Sequence, residues 1–423
     1  MSVTGARRTR PPGLHKLEND WVRDAPQPGR AQFLSVQQET LGSSTFTLEL
    51  SPMSLEGLES HGLSDLLKRA PGINPFFGPQ FLQATFGRLH TARDLLMILK
   101  EQVGDDVTTR LALPLSSVRT GVPPIRVLSA ASHPFAPLST PLVSADDAES
   151  LDRFGALLAR SGLLDSKALL FEDFPADSWT ASEFLKALQR NGFHVHLQKG
   201  AQRAALTQAA AASANSSSNS KRRREIQRQL RKLSGLGEVT FETATSYWDV
   251  LVRFEEFLLL ETRSWKGRKG TSIHVIRKTA AFARQAVSSF ALGNMASIHT
   301  VRLDGRAIAS LIVLRSGNSY YPWKTAFDEH YNSFAPGIQL MNHATGWLLA
   351  QPGFRYADSL AAENGWMDKL WSDRTQLYTA FISRDRDVAE QVAVAHERRH
   401  WMKQQAKSGI ARSKKLVRSL LPR

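Results

Sequence analysis

The chain has 423 residues, more than the roughly 250–300 that one hydrophobic core usually supports, so two domains are expected. It contains no cysteine, which excludes disulfides, thiolate metal sites and cysteine nucleophiles, and no apolar run reaches the ~20 residues of a spanning helix. A formal net charge of +15 asks for an anionic partner, and the excess gathers at Arg7, Arg8 and Arg10, at Lys221-Arg222-Arg223-Arg224, and over residues 398–423.

Residues 1–44 carry Pro, Gly and Arg without sustained periodicity and are expected to be disordered. They hold no apolar leader segment, and with the missing cysteines this points to the cytoplasm. Residues 44–50 read as a strand, and residues 76–89 space Phe77, Phe81, Leu82 and Phe86 like one face of a helix. Strands are expected at 107–113, 125–129, 168–171 and 193–197, and helices at 148–160 and 182–191. This alternation makes an α/β first domain over residues 45–208. His194 and His196 share a strand face, but no Cys or acidic partner completes a metal set, so no metal is expected.

Residues 209–220 are a run of Ala, Ser and Asn that cannot bury enough surface to fix a conformation. A helix with a basic face follows over 221–233 and closes at Gly235, so residues 209–235 read as a loop and a basic helix. Its cations, Arg228, Arg231 and Lys232 among them, lack interleaved aromatics and any recognisable nucleic-acid module, so nucleic acid is not the expected partner. A second domain spans 236–386. It has a strand at 239–243, then helices at 248–262 and 272–290 that flank a Gly-bounded loop, Arg263 to Thr271.

A meander comes next. Residues 297–303 alternate polar and apolar, Asp304-Gly305 suits a type I′ turn with positive φ at both positions, and 306–315 returns. Gly317-Asn318 turns the chain again into 319–327. A helix over 336–350, opened by Ala335-Pro336-Gly337, then presents free backbone N–H groups and its positive dipole end beside the sheet. Such a place holds phosphate, and Pro336, Gly337, Ile338, Gln339 and Leu340 are the candidate cradle. Without a ligand the same residues are a well-started helix. Strands at 356–359 and 377–382 complete the domain. Residues 387–423 read as a basic helix that Gly409 could break; Trp401, Ile410, Leu416 and Leu420 among its cations suit either an anionic membrane surface or a solvated tail.

Several pieces of the second half together resemble one family. They are the basic helix, Phe257 to Glu261 leading to Trp265-Lys266-Gly267 and Gly270-Thr271, Asp304 to Ala309, Asp328 to Gly337, and Asp358 to Trp371. The chain is similar over about residues 45–385 to the acetyltransferases associated with bacterial cellulose and exopolysaccharide biosynthesis (CelD/BcsL type), of the GNAT superfamily. It departs from the superfamily's usual Gln/Arg-x-x-Gly-x-Gly/Ala signature. Asp358-Ser359-Leu360-Ala361-Ala362-Glu363 also differs from the commoner Asp-Phe-Leu-x-Gly. The resemblance implies two tandem GNAT-like domains in a FemAB-like arrangement, of class α/β with mixed, mainly antiparallel sheets flanked by helices. It implies acetyl-CoA as co-substrate, no metal, and a sugar or polysaccharide-precursor acceptor, with polysaccharide synthase machinery as a further partner. Two rivals stay open: an aminoacyl-tRNA-dependent transferase served by the basic helix, and a catalytically silent partner of a synthase.

In that chemistry Glu261 would deprotonate the acceptor, or it simply pairs with Arg263 or Lys266 at its helix end. Trp265 could stack on a sugar or adenine and Lys266 meet a phosphate or carboxylate, or the indole anchors the loop. Alternation puts Tyr321, Trp323 and Thr325 on one strand face and Tyr320, Lys324 and Ala326 on the other. Tyr321 or Tyr331 would protonate the departing thiolate, with core packing as the alternative for each ring. Lys324 and Asp328 are candidate substrate contacts, and Asp358 either orients the acceptor or caps the next turn. Met367, Leu370 and Trp371, at helical spacing, read as core.

Overall fold

The computed structural model describes residues 35–420 apart from 71–73, 90–93, 122, 145–146, 166 and 210–216; the side chains of 35, 60, 217–222, 403–404 and 406–420 are likewise outside the described set. Expectations for residues 1–34, for most of the Ala/Ser/Asn run, for the side chains of Lys221 and Arg222, and for the tail side chains beyond Gln405 therefore fall outside the description. The strands are β1 (Ser35–Leu41), β2 (Ser44–Pro52), β3 (Asp94–Val103), β4 (Asp106–Thr120), β5 (Ile125–Ala130), β6 (Leu142–Val143), β7 (Lys167–Phe174), β8 (His194–Thr207), β9 (Val239–Ala244), β10 (Ala296–Leu303), β11 (Arg306–Ser316), β12 (Ser319–Phe327), β13 (Tyr356–Asp358) and β14 (Asp373–Ser383). The helices are α1 (Leu55–Ser60), α2 (Leu63–Arg69), α3 (Pro79–Thr85), α4 (Ala148–Arg160), α5 (Trp179–Arg190), α6 (Ser217–Ser234), α7 (Tyr247–Arg263), α8 (Trp265–Arg268), α9 (Arg277–Leu292), α10 (Pro336–Leu349) and α11 (Arg386–Leu420).

A single mixed sheet runs through both halves in the order β1-β2-β3-β4-β5-β7-β14-β8-β13-β12-β11-β10-β9. Each half builds an antiparallel meander that ends in a parallel pair, β5 with β7 in the first and β12 with β13 in the second. The halves then exchange their last strands. β8 leaves the first half to pair with β13, and β14 leaves the second to insert between β7 and β8. The boundary drawn from sequence at residue 208, with β14 kept in the second domain, is therefore not the boundary the sheet follows.

The meander turns form as their residues dictate. Asp304 and Gly305 both take positive φ, 48° and 76°, and close the Leu303↔Arg306 rung. β10 is buried along its whole length. Alternate side chains of the meander feed two cores: Ile298, Ile312 and Tyr321 on one face, Val301, Leu311 and Tyr320 on the other.

The first of these cores is shared between the halves. Phe76, Phe81 and Phe135 interlock with Phe282, Tyr321 and Trp323, with ring centroids 5.2–6.3 Å apart, and Trp323 Nε1–H donates to the Phe135 carbonyl at 2.8 Å. A fully buried Phe contributes about 1.5–3 kcal/mol, so the seam is a core and not a mere contact surface.

Local expectations also differ from the structure. Residues 35–41, read as disordered, form β1, an edge strand that pairs with β2 through its backbone; its half-buried positions are the polar Gln37 and Glu39, so it carries no apolar pattern. The 76–89 helix is a short 3-10 turn, Pro75–Phe77, followed by α3, because Gly78-Pro79 restarts the chain. The tail helix α11 passes Gly409 without a break.

Candidate functional site

α10 begins with Ala335 in the left-handed region, φ 48° and ψ 55°, and no side chain caps it. Asp328 caps the 3-10 turn Glu329–Phe334 that leads into it, accepting from the His330 N–H at 3.1 Å. The Ile338 and Gln339 amides donate to the Ala335 carbonyl, at 2.9 and 3.1 Å, and Pro336 has no N–H. The Gly337 amide is left without a hydrogen-bond partner among the described residues. The corresponding helix of the first half, α4, differs: Asp147 caps it, accepting from the Ser150 N–H at 3.0 Å. A carboxylate already stands where an anion would sit there, so of these two corresponding helices only α10 has an open terminus.

That terminus opens into a cleft of about 430 Å³. Pro336, Gly337 and Ile338 form one wall, Trp323 and Phe327 of β12 another, and Ser359 and Leu360 beyond β13 the floor. Trp265 and Lys266 close one end, and Trp366 and Met367 line it too. Two members of the expected cradle do not face it. Leu340 is fully buried core, and Gln339 turns inward, its side-chain N–H donating to the Ile226 carbonyl of α6 at 2.8 Å. Successive residues on a helix lie about 100° apart, so a first turn can give only some of its side chains to one cleft.

The loop at the cleft end is held by a buried carboxylate. Glu261 accepts from Lys266 Nζ through one oxygen and from the Ile273 N–H through the other, each at 2.8 Å. Both oxygens are thus committed, and Glu261 lines neither cavity. Of the open readings, pairing with Lys266 is the one realised, and the acceptor-base role is not supported by the geometry. Lys266 Nζ also donates to the Thr325 carbonyl at 3.3 Å, so its ammonium points into the protein while its stem borders the cleft. Gly267 is required here because a Cβ would stand 1.7 Å from the Thr262 carbonyl oxygen. Trp265 is 45% exposed, with the Lys269 ammonium 4.7 Å from its ring centroid, which leaves an aromatic surface at the cleft mouth.

The remaining candidates divide. Tyr331 sits on the 3-10 turn, packs against the core under α10 and lines neither cavity. Lys324 lies over the Phe135 ring at 4.4 Å and donates to the Pro134 carbonyl; it ties the halves together and lines neither cavity. Burial, and then the Lys266 charge, lowers its pKa to about 8. Asp328 is a cap residue: burial opposes its ionisation, but His330 and Arg306 hold its carboxyl below the usual range. Alternation along β12 fails at a bulge opposite Val313, where Pro322 is paired and Trp323 is extra. Ala326 therefore joins Tyr321 and Trp323 in one core, in place of Thr325.

Tyr321 and Asp358 are brought together, away from the first cleft, in a second cavity of about 760 Å³. Burial, then the Asp358 charge, keeps the Tyr321 phenol protonated. Burial also raises the Asp358 pKa, against the pull of Arg203. Sequence reasoning missed Trp366 as a cleft residue, and it placed Met367 only in the core. Met367 is buried and lines the cleft as well.

Residues 220–368 match the family model described as an acetyltransferase (GNAT) domain. No curated protein matches the chain. Among solved structures, the chain is similar to FemX (11% identity, 79% of this chain and 96% of that one, TM-score 0.48). A conserved protein of unknown function from Bacteroides thetaiotaomicron aligns at 10% identity over 79% of this chain and 98% of its own, TM-score 0.46. A tandem GNAT protein from the clavulanic acid biosynthesis pathway aligns at 14% identity over 79% and 98%, TM-score 0.39. Among the described residues no group of three or more His, Cys, Asp or Glu is placed to hold a metal ion, and no helix is long and apolar enough to cross a membrane.

Proposed function

We propose, from the premise that the chain carries a GNAT acyltransferase domain and is an acyltransferase by it, that the first cleft receives acetyl-CoA and that an acetyl group passes to an amine or hydroxyl of a sugar or polysaccharide precursor. The observation that carries this is the uncapped start of α10, with the Gly337 amide unpartnered and Pro336 to Ile338 lining the cleft. A diphosphate would meet that amide and the helix dipole. The Trp265 ring at the mouth suits the adenine, and the apolar walls at Trp323, Phe327 and Met367 suit the uncharged arm. The co-substrate supplies an activated acyl carbon. The chain's own residues orient it and shield it from water.

Glu261 then acts as a positioning residue for the Trp265–Lys266 loop. Of the two phenols, Tyr321 is the one at the strand gap, where its protonated hydroxyl can donate to developing charge. The link to cellulose or exopolysaccharide synthesis, and a synthase as partner, are carried by the sequence resemblance.

Isothermal titration calorimetry tests the donor site. Acetyl-CoA should bind with micromolar affinity. Gly337→Trp, whose side chain would enter the cleft beside Phe327, should abolish binding while the thermal melt stays cooperative. Retention of affinity by a folded Gly337→Trp protein would overturn the assignment.

A further inference from the structure

The second cavity lies between the halves, and its placement relative to the first is specific. β12 and β13 share only two parallel rungs, Ser319↔Tyr356 and Tyr320↔Ala357. The next residue of each strand, Tyr321 and Asp358, lines the second cavity, and the one after, Pro322 and Ser359, lines the first cleft. The cavities thus approach one gap between the parting strands from two directions.

Asp358 is the buried carboxylate at that gap, 2% exposed. One of its oxygens accepts from the Leu360 N–H at 2.9 Å. The other stands 3.8 Å from Arg203 Nη1, beyond hydrogen-bonding reach. Arg203 is already committed elsewhere, to the Pro137 carbonyl at 2.7 Å and to Asp173 at 3.1 Å. No other described donor reaches that second oxygen, which is held in place and left open to a ligand. At the rim stand Trp179, 42% exposed, and Arg355, an exposed guanidinium with no partner among the described residues. Arg374, the other cation of the lining, donates to the carbonyls of Trp371 and Asp373. Arg355 lies three residues before Asp358, so roughly 10 Å of extended backbone separates the free cation from the open carboxylate.

We propose that the second cavity is the acceptor site, that it takes a primary amine carrying an anionic group, and that Asp358 accepts the proton of that amine. The inference rests on the donor reading above. Arg355 pairs with the phosphate or carboxylate, the Trp179 face covers the ring or chain between, and the ammonium reaches Asp358. The ammonium gives one proton to the Asp358 carboxylate, and the freed amine forms the C–N bond as the thioester C–S bond breaks. The nitrogen's second proton leaves with the sulfur as thiol, and Asp358 returns its own to water. A carboxyl that burial renders more basic suits that duty. The charged and titratable groups around it are Arg203, Asp173, Tyr321 and Tyr356.

The test uses matched probes on the full-length protein: glucosamine 6-phosphate against glucosamine for a phosphate, and L-lysine against L-lysinamide for a carboxylate. Calorimetry should show one anionic member binding at least tenfold tighter than its neutral partner, and the arm that does so identifies the anion. Arg355→Glu, an exposed change, should remove that preference and leave acetyl-CoA affinity within twofold. Asp358→Asn should also keep acetyl-CoA affinity but lower kcat at least 100-fold and abolish the rise of kcat/KM with pH. Equal binding, or no binding, of the matched members overturns the substrate class. An Asp358→Asn protein that keeps the pH rise overturns the base. Loss of acetyl-CoA binding in the unaltered protein, with amine binding intact, sinks the donor reading instead and the transfer step with it.

Discussion

His299 is a fully buried imidazole in the middle of β10, between the Thr243 hydroxyl at 3.0 Å and the Ser297 hydroxyl at 3.2 Å. Burial, and then the neighbouring His343, lowers its pKa from 6.5 to about 3. Below pH 6.5 the unfolded chain therefore binds a proton that the folded chain refuses. The stability from the neutral ring is fully present above 6.5 and is lost as pH falls toward 3, by ~1.4 kcal/mol per pH unit. Urea unfolding at pH 6, 5 and 4 should show a shallower decline in His299→Gln than in the unaltered protein, and parallel declines would count against this account. Residue roles were the least legible part of the sequence. Glu261 beside Lys266 reads equally as a base or an ion pair, and only the Ile273 N–H, twelve residues on, decides it. Asp358 was visible as an acid near a strand end, but its open oxygen depends on Arg203 from the other half of the chain.

Among elements, the contrast between α4 and α10 gives the proposed donor site its main support, since one terminus is closed by Asp147 and the other is open at Ala335. A non-glycine residue in the left-handed region costs on the order of 1 kcal/mol or more, so the packing around Ala335 must hold it there. Part of that hold is Gln339, whose buried amide fastens α10 to α6 through Ile226. Gln339→Met, similar in volume but unable to donate, removes that bond, although the Ile226 carbonyl lies within α6 and keeps its helical partner. It should cost ~0.5–1.5 kcal/mol in chemical denaturation and weaken acetyl-CoA binding by loosening the first turn. An unchanged denaturation midpoint would remove this role. The meander was readable because Asp304-Gly305 states its turn type, and the start of α10 because Pro336 and Gly337 state theirs. The bulge in β12 also has a signal in the sequence: a proline within a central strand, Pro322, belongs at such an irregularity. β3 escaped the periodicity reading because it opens with six consecutive buried residues instead of alternating.

At the scale of the whole molecule, two halves that read as separate domains share one sheet and one aromatic core. Local patterns could give the strands but not their partners, because pairing between β14 and β7 joins residues some two hundred positions apart. A fragment of residues 209–423 should therefore lack a cooperative thermal transition by circular dichroism, since its β13 has lost β8 and its β14 has lost both neighbours. A sharp melt from that fragment would show the halves to be independent.

The late insertion of β14 also has a meaning for synthesis. On a ribosome the amino-terminal half is finished long before residues 373–383 emerge, so the facing edges of β7 and β8 wait open through the translation of more than 160 residues. Unpaired edges are where nascent chains join wrongly. β14 is thus a latch, and until it closes neither half can complete its sheet.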